Sequence, residues 1–280
     1  MIHARILADS RNSKGVRLTT FELCYPRFIH AEFMTHRLFS RNAGSSRAIR
    51  TDRMITMVAE NPAIPVYWGA NQKGMQAKQE VEDLEGAMTW WLGARDAALA
   101  QHALGLKLGL HKQIVNRVLE PFQMITVIAS STDWDNWFWL RNHPDAQPEI
   151  QVLAKCMLES LQGSVPTVLR SGEMHLPLYR PLEDDQDVER LARELDLPQS
   201  IIKARLSVAR CARVSYLTHD GRRDLLEDLR LHDDLAQSHH YSPFEHVAHA
   251  CDDKRAYANF RGFKQYRLGL QKRPPRWDPN

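Results

Sequence analysis

The sequence predicts a soluble globular chain in which strands at the front give way to helices, on three observations. Apolar and polar residues alternate at the start, apolar residues recur at helical spacing through much of the remaining length, and 43% hydrophobic residues are balanced by 25% charged ones. At 280 residues the chain can bury a core in one large domain or two moderate ones without disulfide or zinc support. With 37 Lys and Arg against 34 Asp and Glu, the net charge of +3 lacks the concentrated basic footprint of a duplex binder. A phosphate-bearing small molecule suits it equally well. Cys24, Cys156, Cys211 and Cys251 show no C-x-x-C spacing, and no apolar signal core precedes them, so a cytoplasmic location is expected. No apolar run approaches the roughly 20 residues of a membrane-spanning helix, so no membrane association is expected.

The segments ARILADS and GVRLTTFELCYPR flank an Asn12-Ser13-Lys14-Gly15 turn and read as a β-hairpin. Residues 28–36 carry apolar positions at helical spacing and lead into a polar, small-residue run, 40–46, expected as a loop or a broken helix. From 75 to 108, Leu84, Met88, Trp91, Ala98 and Leu106 predict a long helix with Gly109 at its C-terminal cap. Residues 113–122 and 150–161 also read as helical, with Pro121 a boundary or kink and 142–145 a turn. The acidic stretch 181–190 reads either as a linker between lobes or as an acidic helix start, and two helical stretches punctuated by Pro198 come after it. The Pro-rich, basic close at 271–280 reads as a tail.

Three constellations carry chemistry. Residues 35–47 pack three arginines, one histidine, three serines and an asparagine into thirteen positions. Guanidinium forks, hydroxyls and the small Ala43 and Gly44 suit a phosphate cradle, although the same run also reads as a solvated basic loop. Arg117 and Arg141 flank a segment containing Asn136 and the cluster Trp134, Trp137 and Trp139, which reads as core or as the wall of a planar-ring site. Finally, His239, His240, Ser242, Glu245, His246 and His249 crowd one stretch, but without H-E-x-x-H order or zinc spacing no metal site is expected. Dinucleotide-fold, P-loop and nucleophile-elbow motifs are absent.

Taken together, these residues resemble the flavin-dependent thymidylate synthases (the ThyX family). Its Arg-His-Arg triplet, followed after seven residues by serine, is matched by Thr35-His36-Arg37 and then Ser45, with Ser40, Asn42 and Arg47 in step. Arg117 to Pro121, Asn136, Leu140-Arg141 and Ala146-Gln147-x-Glu149-Ile150 resemble a second block. Ala212 to Tyr216 and His240-x-Ser242-Pro243-Phe244-Glu245-His246 resemble the block that ordinarily comes first. The motif order is therefore that of a circular permutation, which a fold with neighbouring surface termini tolerates.

The resemblance implies an α+β fold with a mixed sheet and a long-helix portion. It divides the chain into 1–180, with the hairpin, triplet block and helical portion, 181–270, a second lobe with the Ser-Pro-Phe-Glu-His block, and a tail at 271–280. It implies FAD as cofactor, NADPH and methylenetetrahydrofolate as co-substrates, dUMP as substrate and a homotetramer, with no stable nucleic-acid partner. Carried over by position, Thr35, His36, Arg37, Asn136, Ser242 and Glu245 would hold flavin, with Ala43 lining the same place. Glu32, Ser45, Ser46, Arg47, Arg117 and Arg141 would bind the nucleotide, with Arg141 and His240 as the catalytic positions. Thr35 replaces an arginine, Ala43 a glutamate, and Glu32 stands where a neutral amide is usual, which opens hydroxymethylation or another pyrimidine as alternatives. Gln265-Tyr266-Arg267 is a candidate to return a cation to the pocket. The reading from a different class is a non-catalytic nucleotide or RNA binder built on the basic loop and the tryptophans.

Overall fold

The computed structural model describes residues 1–221 and 224–270. The expected hairpin is present as β1 (His3–Asn12) and β2 (Arg17–Pro26). Asn12 Oδ1 accepts from the backbone N–H groups of Lys14 and Val16, both at 3.0 Å, and Gly15 takes the left-handed φ of +83° that the turn requires. Two further strands, β3 (Ser40–Ala43) and β4 (Met124–Ser131), and a short β5 (Thr167–Leu169) complete a five-stranded sheet of order β3-β4-β2-β1-β5. β1 and β5 are parallel and the other pairs antiparallel, so the sheet is mixed.

The run expected as a loop or broken helix thus begins as a strand. Ser40 and Asn42 are buried while Arg41 and Ala43 are half-buried, a period of two hidden by uniformly polar or small residues. The helix expected over 28–36 is shorter, a 3-10 turn at Arg27–Ile29 running into α1 (His30–Met34). After α2 (Thr51–Glu60), the long helix is α3 (Leu84–Lys107); it starts nine residues later than expected because Asp83 caps it, accepting from Gly86 N at 2.7 Å. Gly109, at φ +76°, lies just past its end, as expected. The helix expected over 113–122 is α4 (Lys112–Val115) and then a 3-10 turn at Asn116–Phe122 that holds Pro121, which cannot donate to an α-helical ladder.

α5 (Asp135–Arg141) and α6 (Pro148–Gln162) come after β4, the latter capped by Gln147 with Pro148 in its first turn. The strip β6 (Met174–His175) leads to α7 (Pro181–Leu195), α8 (Gln199–Arg213) and α9 (Leu225–Gln237). The acidic stretch is therefore a helix start, not a linker: Asp184, fully buried, accepts from Arg210 at 2.6 and 2.9 Å. Arg210 also reaches Asp228 at 3.2 Å, and Asp228 binds Arg213 at 2.6 Å, so a buried ionic chain joins the three helices. The chain closes through β7 (Ala248–Ala250), β8 (Ala256–Tyr257), β9 (Phe260–Arg261), β10 (Phe263–Gln265) and α10 (Arg267–Leu270), with a small sheet of order β10-β7-β6 and a β8-β9 hairpin. The expected tail lies outside the described residues.

These pieces stack in three layers. One face of the large sheet packs Phe21, Leu23 and Tyr25 against α1, α5 and α6 through Phe33, Trp134, Trp137 and Leu153. The other face meets α8 and the approach to α7, where Ile128 packs with Leu178, Cys211 and Val214. All four cysteines are free thiols, and among the described residues no helix is long and apolar enough to cross a membrane.

Candidate active site

The polypeptide leaving α1 folds against α5 to form a cleft of about 210 Å3 lined by Thr35, His36, Arg37, Phe39, Asn136, Trp137 and Arg141 among others. A helix C-terminus leaves carbonyls without partners, and here Arg41 supplies them: its Nη1 donates to the carbonyls of Met34 at 3.1 Å and His36 at 3.0 Å. The His36 ring stacks on Phe39 (5.7 Å, 13°) and meets Trp137 edge-on (4.8 Å, 82°). Arg141 Nε donates to His36 Nε2 at 3.0 Å, which requires the His36 proton to sit on Nδ1. Burial, then the neighbouring Arg141 and Arg41 charges, push the His36 pKa down to about 4, so the ring is neutral near pH 7.

Thr35 Oγ1 donates to the Glu32 carbonyl at 2.7 Å and accepts from Arg141 Nη2 at 3.5 Å. The threonine that departs from the triplet therefore supports Arg141 where an arginine would have placed a like charge beside it. Arg37 and Asn136 are exposed at the cleft and their side chains make no polar contact among the described residues. Trp134 and Trp137 are core, whereas Trp139 is 79% exposed.

The closing block reaches the same place from the far end of the sequence. Ser242–Glu245 is a 3-10 turn anchored by buried Phe244. The Glu245 carboxylate pairs with Arg267, whose guanidinium also lies over the Tyr241 ring at 5.9 Å. Burial pulls the Arg41 pKa down, and the Tyr25 and Glu245 charges oppose that shift. Gln265 Nε2 donates to Ser40 Oγ at 2.9 Å and to the Glu245 carbonyl at 3.2 Å, while Asn259 Nδ2 donates to Ser40 Oγ at 3.0 Å and the Leu38 carbonyl at 3.1 Å. Ser242 is half-buried and His240 exposed, and neither side chain has a polar partner among the described residues. Arg267, the cation of the C-terminal segment, pairs with Glu245 and does not line the His36 cleft.

The remaining expected nucleotide residues gather elsewhere. Ser46 Oγ donates to Glu120 Oε1 at 2.8 Å, and Arg117 and Arg27 each approach the same oxygen at 3.0 Å. Ser45 Oγ accepts from Arg47 N at 3.3 Å, and the Arg47 side chain is exposed. None of Ser45, Ser46, Arg47 or Arg117 lines the His36 cleft, so this chain alone presents two patches. Glu32 has one carboxylate oxygen buried without a partner among the described residues, and Ala43 is half-buried on β3 opposite Val127.

The crowded histidines diverge. His239 meets Tyr241 Oη at 2.8 Å, His246 Nδ1 lies 2.8 Å from Ser130 Oγ, and His249 Nδ1 lies 3.3 Å from the Gly172 carbonyl. Arg41, Glu120 and Asn259 are site residues that the sequence does not single out. Arg41 is one of three arginines in the 35–47 run, and nothing in spacing marks it as the inward one; Glu120 stands in a matched segment, and its neighbours Arg27 and Ser46 are close only in the fold.

The Thy1 family, described as thymidylate synthase complementing protein, matches residues 18–167, just over half of the 280. Among solved structures, a UMP/dUMP methylase, PolB, from Streptomyces cacaoi bound with 5-Br dUMP is similar at 17% identity, covering 57% of this chain and 90% of that one with a TM-score of 0.48. Thymidylate synthase X from Helicobacter pylori with FAD and dUMP is similar at 18% identity, covering 51% and 67%, with a TM-score of 0.36. No curated protein sequence matches the chain.

Proposed function

The chain belongs to the Thy1 family of thymidylate synthase complementing proteins, and from that premise we propose that it is a FAD-dependent enzyme transferring a one-carbon unit from methylenetetrahydrofolate to C5 of dUMP, with NADPH as reductant, to give dTMP. The observation that carries the reading is the Arg141 to His36 bond inside an aromatic-walled cleft, which ties the triplet block to the second block. The permuted order is supported by Gln265, which joins the Glu245 carbonyl of the closing block to Ser40 of the triplet block.

The residues present fit a flavin. Phe39 and Trp137 offer aromatic walls, and Arg37 and Asn136 offer donors without partners among the described residues. At about 210 Å3 the cleft is smaller than the roughly 300–1,000 Å3 of a site enclosing a whole ligand, so it would take one ring while other surfaces hold the remainder. The flavin would supply hydride when bound. Thr35, His36, Arg37, Asn136, Ser242 and Glu245 would hold it.

Arg141 uses Nε on His36 and Nη2 on Thr35, which leaves Nη1 donors to face a pyrimidine and favour negative charge spread over its N3 and carbonyl. Neutral His36 holds that guanidinium in place without competing for charge. Ser45, Ser46, Arg47 and Arg117 would take the phosphate, Arg117 being released from Glu120 to do so, and Glu32 and His240 would lie at further substrate positions. That these lie apart from the cleft in one chain supports sites assembled between subunits of a homotetramer. Trp90 at 68% exposure and Trp139 at 79% are large apolar groups available for such contacts.

The test is mass spectrometry of the nucleotide after anaerobic incubation with FAD, NADPH, methylenetetrahydrofolate and dUMP. A methyl gain is expected; a hydroxymethyl gain would assign the altered triplet to a different outcome, and unchanged nucleotide would overturn the dUMP assignment. Arg141→Ala is expected to lower turnover by about a hundredfold or more with flavin retained, and Glu245→Ala or Ser242→Ala to weaken flavin retention. The reverse pattern would show the two subsites exchanged.

A further inference from the structure

We infer that His246 is a positioning residue, locked as its Nδ1–H tautomer at the end of a buried hydrogen-bond chain that sets the Ser242–Glu245 turn where it receives the flavin. This rests on the flavin reading above.

The chain crosses the interior from β1 to the turn. Ser10 Oγ lies 2.8 Å from His175 Nδ1, His175 Nε2 lies 2.8 Å from Thr20 Oγ1, Thr20 Oγ1 lies 2.6 Å from Ser130 Oγ, and Ser130 Oγ lies 2.8 Å from His246 Nδ1. All five residues are at most 5% exposed. Each hydroxyl and each neutral imidazole has one hydrogen to give, so five hydrogens serve the four bonds and one is left over.

If they run toward His246, Ser130 donates into Nδ1 and His246 keeps an Nε2–H. That atom is buried and has no partner among the described residues. If they run the other way, His246 Nδ1–H donates to Ser130, Ser130 to Thr20, Thr20 to His175 Nε2, and His175 Nδ1–H to Ser10. The hydrogen left over is then that of the Ser10 hydroxyl, which can rotate as a ring N–H cannot, and His246 Nε2 keeps only an unmatched lone pair. A buried N–H without an acceptor is the rarer and costlier defect, so the second sense holds. Charging either ring is opposed by burial, which pushes both pKa values down to about 3, with His175 lowering His246 further.

The register of the sheet explains why this matters at the turn. Thr20 and Ser130 are cross-strand partners, and Ser40 is the partner of Ser130 on its other side, so the three hydroxyls form one row across β2, β4 and β3. His246 is fastened to that row through Ser130. Glu245 is fastened to it through Gln265, which bonds both Ser40 Oγ and the Glu245 carbonyl. The turn is held at two adjacent residues by one polar row, and Glu245 is left with its carboxylate on Arg267.

The experiment compares His246→Asn, whose amide N–H falls near Nδ1, with His246→Gln, whose amide falls near Nε2, and with Ser130→Ala. FAD affinity and visible circular dichroism of the bound flavin are read in the full chain, and the His246 tautomer is read by 15N NMR in the native protein. His246→Gln and Ser130→Ala are expected to lower FAD affinity about tenfold with an altered flavin spectrum, and His246→Asn to stay within about threefold of native. An Nδ1–H tautomer is expected, and an Nε2–H signal overturns the inference even if the variants fail to fold. Native FAD uptake unchanged in folded His246→Gln overturns the positioning role alone. A native protein that takes up no FAD overturns the flavin reading and the role with it.

Discussion

On one side of β2, Phe21, Leu23 and Tyr25 press into a layer of aromatic and aliphatic side chains; on the other, Thr20 meets His175 and Ser130, while Glu22 meets Arg5 and His219. The same ten residues are buried on both faces by different physics. The aromatic face is held by non-directional burial, which accepts any filling of similar volume. The polar face is held by donors and acceptors that must each find a counterpart, so it selects one register and one arrangement. Both candidate ligand blocks draw on both faces: His36 leans on the aromatic side through Trp137, and Glu245 is anchored on the polar side through Gln265.

The sharpest way to break this comparison is to remove a charge from the layer over the polar face. Arg210→Met leaves Asp184 and Asp228 buried beside an apolar side chain and is expected to cost about 3–5 kcal/mol in urea unfolding. A cost under about 1 kcal/mol would mean the ionic chain is replaceable by packing, as on the opposite face. Leu153→Ala, in the aromatic-side layer, is expected to cost about 2–5 kcal/mol, with the cavity it leaves accepting small apolar ligands.

Thr20→Val keeps shape but interrupts the hydroxyl row, and an expected cost of about 1–3 kcal/mol would contrast with a smaller one for Leu23→Met across the strand. Acid should separate the faces as well. His175 and His246 titrate near 3 when folded and near 6.5 when free, so the unfolded chain takes up protons first. Stability complete above about pH 6.5 is then lost as pH falls toward 3, by at most about 1.4 kcal/mol per pH unit for each imidazole. Glu22, held down to about 2 against burial by His219 and Arg5, adds to the loss below its unfolded value of 4.5. A urea midpoint equal at about pH 7 and about pH 5 would show that these rings are not neutral and buried in solution. Least affected should be Arg190→Ala on the outer face of α7, at about 0.5 kcal/mol or less in thermal unfolding.

How much of this is legible in the sequence differs by element. The hairpin can be read because its alternation and its Asn12 to Gly15 turn are local, and α6 because Gln147, Pro148 and its apolar stripe all lie within one segment. β3 cannot, since Ser40, Arg41, Asn42 and Ala43 carry no apolar alternation and become a strand only through β4. At the site, His36, Arg141 and Glu245 are found through motif spacing. The part of Arg41 in holding the His36 backbone is not, because that arginine acts through backbone carbonyls, which leave no spacing to recognise. Ser46 and Arg117 read as phosphate ligands, and the chain by itself shows them sharing Glu120.

The pairing of β1 with β2 is irregular between Ile6 and Ala8. A strand counts its residues in twos, and the extra Leu7 makes the count odd at one place: Ile6 pairs with Phe21, yet Ala8 pairs with Thr20 and Ser10 with Leu18. Were Leu7 paired in regular register with Thr20 instead of bulged, every side chain beyond it would change sides, carrying Ser10 away from His175. Leu7 itself packs beside Ile128, Cys211 and Val214. The buried hydrogen-bond chain therefore depends on where β1 yields its regular register as well as on composition, and a β1 paired straight through Leu7 would be felt at the far edge of the sheet, next to Glu245.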